Sequence, residues 1–428
     1  MVTIGRIPRL VNSFFRPQQR FFSKPAWPHF RGLVMAMAVG LEHTVGRLNA
    51  LLRGHTHRTL ALSREGNDGE FLWRSRWNES EVLRAIALQQ FSRLYRPGEP
   101  IYFVIDDTQT LKRAKKLALS LEGMEAVGKF YHHAEKRYAT GHTILKACLS
   151  LRGSGHDYRG ITIPWGSWLY VKREHAAGLD VSFTTLTELA ARAIESLPFP
   201  PHFPVTVLFD SYYLCANVAR AVENKGWHYI GVAKSNRRLT VEGRSHRLNR
   251  YAGNVVRRCG KWMNITGLRR THSYRVAERI GTMKKLGEVK VVFSRRRSDH
   301  SVIALVTNDL QRARHRVVGD YLRRWSIELL IKDEKQHLGL GAYRVLRYRA
   351  VVRHLHLVDC AYACLTHMGL EARRAQGHHK NKTVLRLPPI QQLKADLRRA
   401  VWNEAVKDVA KVSHERTVIR RLEKLLAA

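Results

Sequence analysis

Short apolar segments alternate with helical segments between residues 100 and 235, and this alternation restricts the fold more than any other feature of the chain. Two of the apolar segments end in an aspartate: Ile101–Asp106 is continuously apolar up to that residue, and Pro204–Asp210 is interrupted only by Thr206. Such a run predicts a strand that is buried on both faces. Helical segments lie at Ser182–Leu197 and Leu214–Gly226. Strands that alternate with helices predict an α/β domain built on a central sheet.

The composition changes along the chain and predicts five regions. Residues 1–95 are predicted to be a helical N-terminal DNA-binding region, with a plain helical cap on the next domain as the alternative. Residues 96–235 and 301–375 form the first and second parts of the α/β core. Between them, residues 236–300 contain 18 Lys and Arg against four acids, which indicates a basic β-rich insertion. Residues 376–428 are predicted to form a basic helical tail.

The net charge points to a polyanionic partner. Lys and Arg number 74 and Asp and Glu 35, so the formal net charge is +39. A globular protein with this excess repels itself unless a polyanion is present, and nucleic acid is the expected one. An anionic membrane surface is the second interpretation. A basic surface kept only for solubility is weaker, because solubility needs a charge of only about 2–8 units.

Membrane spans, disulfide frameworks and zinc ribbons are not indicated. The longest apolar run, near residues 32–41, is about half the roughly 20 residues that a spanning helix needs. The five cysteines are scattered and include no C-x-x-C pair. A reducing compartment that contains nucleic acid is therefore expected, and no membrane partner.

Acidic residues at strand ends are the first candidates for chemistry. Asp106 and Asp107 end the first apolar strand, and Asp210 ends the second. A carboxylate at the carboxyl end of a buried strand is well placed for a site. The alternative, equally weighted on the pattern alone, is that such an aspartate caps a turn or the next helix.

A third acid, Glu328, lies in a predicted helix from about Val317 to Leu338. At 100° per residue, Tyr321, Arg324, Glu328 and Lys335 share one narrow face of that helix, and Lys332 widens it. Apolar residues would normally occupy the inward stripe of an amphipathic helix. The pattern therefore predicts a helix whose polar face carries functional side chains. The alternative is a face exposed to solvent with incidental Arg–Glu pairing.

These residues resemble a known family. Tyr321, Arg324, Glu328 and Lys335 meet the spacing Y-x2-R-x3-E-x6-K, which is the signature of DDE transposases of a group of bacterial insertion sequences. The segment IDDT at 105–108 is similar to the family's first aspartate motif, and VLFDSYY to the second. The resemblance implies an RNase H-like core of the retroviral-integrase type. It also implies a β-rich insertion between the second aspartate and the glutamate, flanked here by the N-terminal helical domain and the C-terminal helical tail.

The resemblance implies that Asp106, Asp210 and Glu328 are the catalytic residues and the ligands of two Mg²⁺ ions, with Mn²⁺ able to substitute. The chemistry agrees, because hard cations prefer carboxylate oxygens and a pair of them suits phosphodiester cleavage. Alignment on D-x-T selects Asp106 and alignment on D-T selects Asp107. In an extended strand the two side chains point to opposite faces, so only one of them can be a direct ligand, and Asp106 is preferred.

The basic members of the signature are expected to contact DNA phosphates. Arg324 suits bidentate binding of a phosphate and Lys335 acts as a point charge. Tyr321 is expected to donate a hydrogen bond to a phosphate oxygen, and Lys332 is an additional contact. For Trp325 and Trp262, packing is the preferred interpretation and stacking on a DNA base is the alternative.

The implied activity is divalent-metal-dependent cleavage of DNA at transposon ends followed by strand transfer. The expected partners are double-stranded DNA, as transposon ends and as target, and a second copy of the chain in the assembled complex. The expected location is the bacterial cytoplasm, in association with the nucleoid. Two alternatives remain at this point: a non-catalytic nucleic-acid-binding protein with a degenerate core, and a DNA endonuclease without strand transfer.

Overall fold

The computed structural model describes residues 7–41, 43–44, 46–48, 66–112, 123–132, 135–151, 160–267, 270–299, 301–375 and 387–410. Helices account for its first part. They are α1 (Arg9–Phe15), α2 (Ala26–Val39), α3 (Gly66–Trp73) and α4 (Glu79–Leu94). A 3₁₀ helix at Arg16–Phe21 follows α1 directly.

Strands and helices then alternate, as the apolar pattern predicts. In chain order they are β1 (Ile101–Leu111), β2 (Gly128–His132), β3 (Arg137–Leu151), β4 (Ile161–Tyr170), α5 (Arg173–Ala176), α6 (Leu186–Glu195), β5 (Val205–Phe209), α7 (Ala216–Glu223) and β6 (His228–Val232). A 3₁₀ turn at Ala177–Leu179 extends α5.

The region from 236 onward adds more strands before the chain returns to helices. Its elements are β7 (Arg238–Val241), β8 (Arg244–Arg247), α8 (Leu248–Cys259), β9 (Lys261–Thr266), β10 (Thr271–Met283), β11 (Gly287–Arg296) and β12 (Ile303–Thr307). The closing helices are α9 (Arg314–Tyr321), α10 (Trp325–Asp333), α11 (Tyr348–Ala375) and α12 (Ile390–Ala410).

All the strands named above belong to one mixed sheet, so the predicted α/β class is confirmed. The strand order is β2-β3-β1-β5-β6-β12-β11-β10-β7-β8, with β4 beside β3 and β9 beside β10. β5 runs parallel to β1 and β6 runs parallel to β5, whereas β3 is antiparallel to β1. Since β12 pairs with β6 and β11, the basic strands of 236–300 continue the sheet that contains β1 and β5.

Helices cover both faces of the sheet, and β1 shows how the sequence places them. Its side chains alternate between two apolar cores: Tyr102 and Val104 face one, and Ile101, Phe103 and Ile105 face the other. The first core contains residues of α9, α10 and α11 and the second contains residues of α6, α7 and α8. Period-two alternation in a strand that is buried on both faces produces this arrangement.

The N-terminal helices α1 to α4 all pack against α11, and α12 packs against α2 and α11. Their apolar residues belong to the same core as those of α10 and α11. In the described part of the chain, no helix is both long and apolar enough to cross a bilayer. DNA binding by residues 1–95 stays a prediction, and 411–428 of the predicted tail lie outside the described residues.

The segment that carries Glu328 is less regular than the predicted uniform helix. A 3₁₀ turn at Leu322–Arg324 separates α9 from α10, and a π-helical turn at Glu334–Leu338 follows α10. The segment ends at Gly339, whose φ of +82° favours glycine. A Cβ at this glycine would lie 2.1 Å from the Cβ of His43, so the close approach also excludes a larger residue.

Candidate active site

An open cleft of about 410 Å³ lies where α10 and the π-helical turn after it meet the middle of β1. Two of the three predicted acids line it, and its residues are Asp106, Asp107, Thr108, Glu328, Ile331, Lys332, Lys335 and Gln336. Helix α10 packs against β1, β3 and β4, and this contact brings residues that are more than 200 positions apart into one site.

One arginine joins the first and third predicted acids. Arg324 Nη1 donates to Asp106 Oδ2 at 2.7 Å, and Arg324 Nη2 donates to Glu328 Oε1. The relative exposure of the side chain is 18% for Arg324, 19% for Asp106 and 30% for Glu328. We call these three residues the cleft cluster. Its guanidinium places one positive charge between two carboxylates.

Crowding of negative charge is visible at Asp106. Burial raises the pKa of Asp106 to about 7, the Arg324 guanidinium opposes this shift, and the neighbouring carboxylates of Asp210 and Asp107 add to it. A carboxyl group in such an environment gains from a nearby cation, because the cation stabilises its charged form.

Asp210 follows β5 and serves two purposes. Its Oδ1 accepts hydrogen bonds from the backbone N–H of Tyr212 at 2.9 Å and of Tyr213 at 3.4 Å, so it caps a turn. Its charge also raises the pKa values of Asp106 and Tyr321. The structure thus brings Asp210 within electrostatic range of the cleft cluster, although it does not line the cleft.

The two adjacent aspartates of β1 have different partners. Asp106 continues the alternation on the face that packs against α10, where it meets Arg324. Asp107 faces the other core and accepts a hydrogen bond from the hydroxyl of Tyr213 at 2.8 Å. Burial raises the pKa of Asp107, the hydrogen bond from Tyr213 lowers it, and the Asp210 carboxylate raises it. This arrangement favours Asp106 over Asp107 as the partner of Glu328.

The other signature residues surround the same cleft. Lys335 Nζ donates to the backbone carbonyl of Gln109 on β1 at 2.9 Å, and Lys332 is exposed beside it. Burial raises the pKa of Tyr321 to about 12, with Arg324 opposing, so its hydroxyl is neutral and able to donate at neutral pH. The guanidinium of Arg324 lies 5.9 Å from the centre of the Tyr321 ring.

The chemistry of the acids fits a hard divalent cation, but the carboxylates are not gathered around one point. Within the described ranges, no group of three or more His, Cys, Asp and Glu side chains is close enough to hold a metal ion. Arg324 pairs with two of the three predicted ligands. Carboxylate oxygens are nevertheless the donors that Mg²⁺ prefers, and a cation bound beside Asp106 would oppose the upward pKa shift that burial and the neighbouring carboxylates cause.

A second charged cluster lies behind α10, and the sequence analysis did not identify it. Lys146 Nζ on β3 lies 2.7 Å from Glu334 Oε2 and 2.5 Å from Asp359 Oδ1, and all three side chains have no exposure. Ser167 donates to the second oxygen of Asp359 at 2.5 Å. We call Lys146, Glu334 and Asp359 the buried cluster. Lys146 on β3 lies opposite Asp106 on β1 in the strand register, so the two clusters stand on neighbouring strands.

The packing role expected for two tryptophans is wrong. Trp325 is 53% exposed and Trp262 is 51% exposed, and Arg297 lies 5.8 Å from the ring centre of Trp262. Tyr213, which the sequence analysis did not single out, is fully buried and holds Asp107. Its position three residues after Asp210 in VLFDSYY was the available signal, since a turn of that length returns toward the strand end.

Comparison with protein families gives a match that agrees with this geometry. Residues 184–364 match the family model described as the transposase DDE domain. The matched range contains Asp210 and the whole segment from Tyr321 to Lys335, and it begins after Asp106. No curated protein matches the chain significantly. The part of the chain that carries Asp210 and the signature residues around the cleft is therefore similar to the DDE domain of transposases.

Proposed function

We propose that this protein is a DDE transposase of the insertion-sequence type, which cuts DNA at the ends of its element and joins the freed ends to target DNA by divalent-metal-dependent chemistry of the cut-and-paste type. The observation that carries the proposal is the cleft cluster. Acids from β1 and α10 meet at one guanidinium, with the charge of Asp210 close enough to act on Asp106. Carboxylates that come together from distant parts of a chain with a net charge of +39, with a raised pKa at one of them, are typical of a functional site.

The ligands we assign to two Mg²⁺ ions, or to Mn²⁺ in their place, are Asp106, Asp210 and Glu328. Bound there, such ions activate the attacking water and stabilise the leaving oxygen of a phosphodiester. The raised pKa of Asp106 supports the assignment, because burial and the neighbouring carboxylates leave this group in need of a cation. Asp107 is the alternative ligand, and its hydrogen bond to Tyr213 makes it the weaker one.

The basic side chains of the cleft are assigned to DNA. Arg324 presents a planar fork that suits a phosphate as well as the carboxylates that it now contacts. Lys335 donates a hydrogen bond to the carbonyl of Gln109 on β1, and Lys332 lines the same cleft. The Tyr321 hydroxyl keeps its proton at neutral pH, since its pKa is raised to about 12, and can donate a hydrogen bond to a phosphate oxygen. Together they neutralise the phosphate next to the scissile bond.

The reaction follows from these assignments in two steps. Water attacks the phosphorus at the element end and the 3′ oxygen leaves, which frees a 3′-OH. That hydroxyl then attacks a phosphate of the target DNA and displaces another 3′ oxygen. We also propose that a homodimer holds both ends of the element and that the enzyme acts at the bacterial nucleoid in the cytoplasm.

The decisive experiment compares Glu328→Gln with wild type on a duplex that carries an element end. The amide keeps the size of the side chain but removes a charged ligand, so we expect cleavage to fall at least 100-fold, on the order of the loss of one essential electrostatic contact, with DNA binding retained. The matched control is Glu195→Gln, the same change at an exposed position at the end of α6. Chelation of divalent metal should abolish cleavage by wild type and control.

Two results would contradict the proposal. Cleavage by Glu328→Gln at the rate of Glu195→Gln would show that the acids are structural, as in a non-catalytic DNA-binding protein. A pre-cut end with a free 3′-OH that is not joined to target DNA in Mg²⁺ or Mn²⁺ would leave a DNA endonuclease without strand transfer.

A further inference from the structure

A strongly basic groove lies outside the cleft. It has a volume of about 770 Å³ and is bounded by the start of α7, the β7–β8 hairpin and the turn between β10 and β11. Its cationic lining residues are Arg220, Arg237, Arg238, Lys284 and Lys285, and the residues that line it include no acid. A groove of this composition attracts an anion with several charges along its length.

The position of the groove relates it to the active site. β5 and β6 are adjacent parallel strands, so their carboxyl ends meet at one edge of the sheet. Asp210 directly follows β5, and Cys215, five residues later, is the first residue in the chain that lines the groove. Arg237 lies shortly after the end of β6. The groove therefore opens at the sheet edge that carries one of the proposed catalytic acids.

Tyr212 and Lys234 occupy the same edge. Tyr212 is 47% exposed, and the Nζ of Lys234 lies 5.8 Å from the centre of its ring. Both residues are next to the strand ends that lead into the groove. Positive charge and an exposed aromatic ring thus continue from Asp210 toward the groove, which is the combination that nucleic acid contacts use.

The positive charges of the groove are oriented but not neutralised by its lining. Arg237 donates to the carbonyl of Leu214, and Arg238 donates to the hydroxyl and carbonyl of Ser245 at 2.8 and 3.0 Å. Hydrogen bonds to neutral oxygens fix a guanidinium without cancelling its charge. The exposed Lys284 and Lys285 lie on the turn that faces these arginines across the groove.

We propose that this groove binds the phosphodiester backbone of the element DNA beside the cleavage site and holds the duplex in register with Asp210. The inference rests on the proposed function, since it names where the same substrate extends beyond the cleft. Five cations that line one groove, two of them held by hydrogen bonds, suit contacts to backbone phosphates, and phosphate contacts do not read base sequence.

The test is the salt dependence of DNA binding by the Lys284→Gln/Lys285→Gln variant. Each phosphate contact contributes about 0.9 to the slope of log affinity against log salt. We expect the slope to become shallower by about 2, so that wild type loses roughly tenfold more affinity than the variant between 50 and 200 mM salt. The loss should be equal for element-end and unrelated duplexes.

The matched control is Arg96→Gln/Arg192→Gln, which removes the same charge from two exposed positions on other elements, one of them before the amino end of β1. A Lys284→Gln/Lys285→Gln variant with the salt slope of this control would overturn the proposal. Single-turnover cleavage at saturating DNA should stay near the wild-type rate in the Arg96→Gln/Arg192→Gln control, because it changes neither the cleft nor the groove.

A second measurement uses the native thiol of Cys215, which lines the groove and is half-buried. Element DNA should slow the alkylation of Cys215 by iodoacetamide at least fivefold in wild type, as read by mass spectrometry, and unchanged alkylation would contradict the proposal. Both measurements report binding only. They therefore decide on the groove even if wild type fails to cleave, a result that would remove the proposed function alone.

Discussion

The cleft cluster and the buried cluster have the same composition, one basic residue and two carboxylates, and both include residues of the segment 321–338. They differ in their access to water. The side chains of Arg324, Asp106 and Glu328 keep between 18% and 30% exposure, whereas every side chain of the buried cluster keeps none. Water screens the first set of charges, and only the partners themselves stabilise the second.

This difference teaches what each cluster can do. The carboxylates of the cleft cluster are partly exposed, so water can hydrate them while one bound cation is exchanged for another. A group without exposure keeps its partners as long as the fold persists. The buried cluster joins β3, the π-helical turn after α10, and α11, so it fixes the segment whose other side presents Glu328 to the cleft.

Removal of the lysine from the buried cluster should have the largest effect on stability. Lys146→Met leaves two carboxylates without a cation in a site with no exposure. We expect the free energy of unfolding to fall by about 3–5 kcal/mol, as measured by urea denaturation.

The control for this variant is Lys290→Met on β11. Lys290 is 6% exposed, donates to the carbonyl of Arg312, and has a half-exposed carboxylate, Glu278, at 3.6 Å. Its replacement should cost clearly less than that of Lys146. Equal losses would mean that burial of any lysine, and not the paired acids, sets the cost.

Removal of the arginine from the cleft cluster should destabilise the protein less. Arg324→Ala leaves Asp106 and Glu328 partly hydrated, so we expect a loss of about 1–2 kcal/mol in the free energy of unfolding. Cleavage should decline far more than stability. Arg324→Lys keeps the charge but not the planar fork, and it should recover stability more than cleavage. A loss as large as that of Lys146→Met would show that the polar face is a structural network.

The smallest effect should appear in the pH dependence of the metal-free protein. The pKa of Asp106 is raised from 3.8 to about 7 in the folded state, so its contribution to stability is present below 3.8 and is lost as the pH rises through about 7. With chelator present, the free energy of unfolding of wild type should decline by on the order of 1 kcal/mol more than that of Asp106→Asn over this range. Parallel curves for the two proteins would contradict the shift.

The sequence made the positions of the acids predictable but not all of their surroundings. Asp106 and Asp210 were recognisable because each ends an apolar run, and Glu328 because of its spacing to Tyr321, Arg324 and Lys335. The predicted end of the first strand was wrong, because β1 continues from Asp106 to Leu111. The spacing of Tyr213 from Asp210 placed it near the strand end, but its choice of Asp107 as partner depends on how the turn after β5 folds. The roles of these residues in catalysis stay predictions.

The buried cluster shows a different limit. Lys146 lies between apolar neighbours in the buried half of β3, and its partner Asp359 is 213 residues away in the chain. The sequence around Lys146 and around Asp359 contains no pattern that predicts this contact. The uniform 100° per residue assumed for the segment 321–338 was also wrong in detail, because a 3₁₀ turn and a π-helical turn interrupt it, and such changes in winding arise from packing.

The continuity of the sheet has a mechanical consequence. The strands that bear the basic groove are hydrogen-bonded through β10, β11, β12 and β6 to the strand that precedes Asp210, with no flexible linker between them. The hydrogen-bonded sheet therefore fixes the distance between the groove and Asp210. On the proposed binding mode, a duplex along these strands has to adapt its own curvature and twist to that spacing, so the deformability of the DNA near the proposed cleavage site would contribute to which DNA is selected.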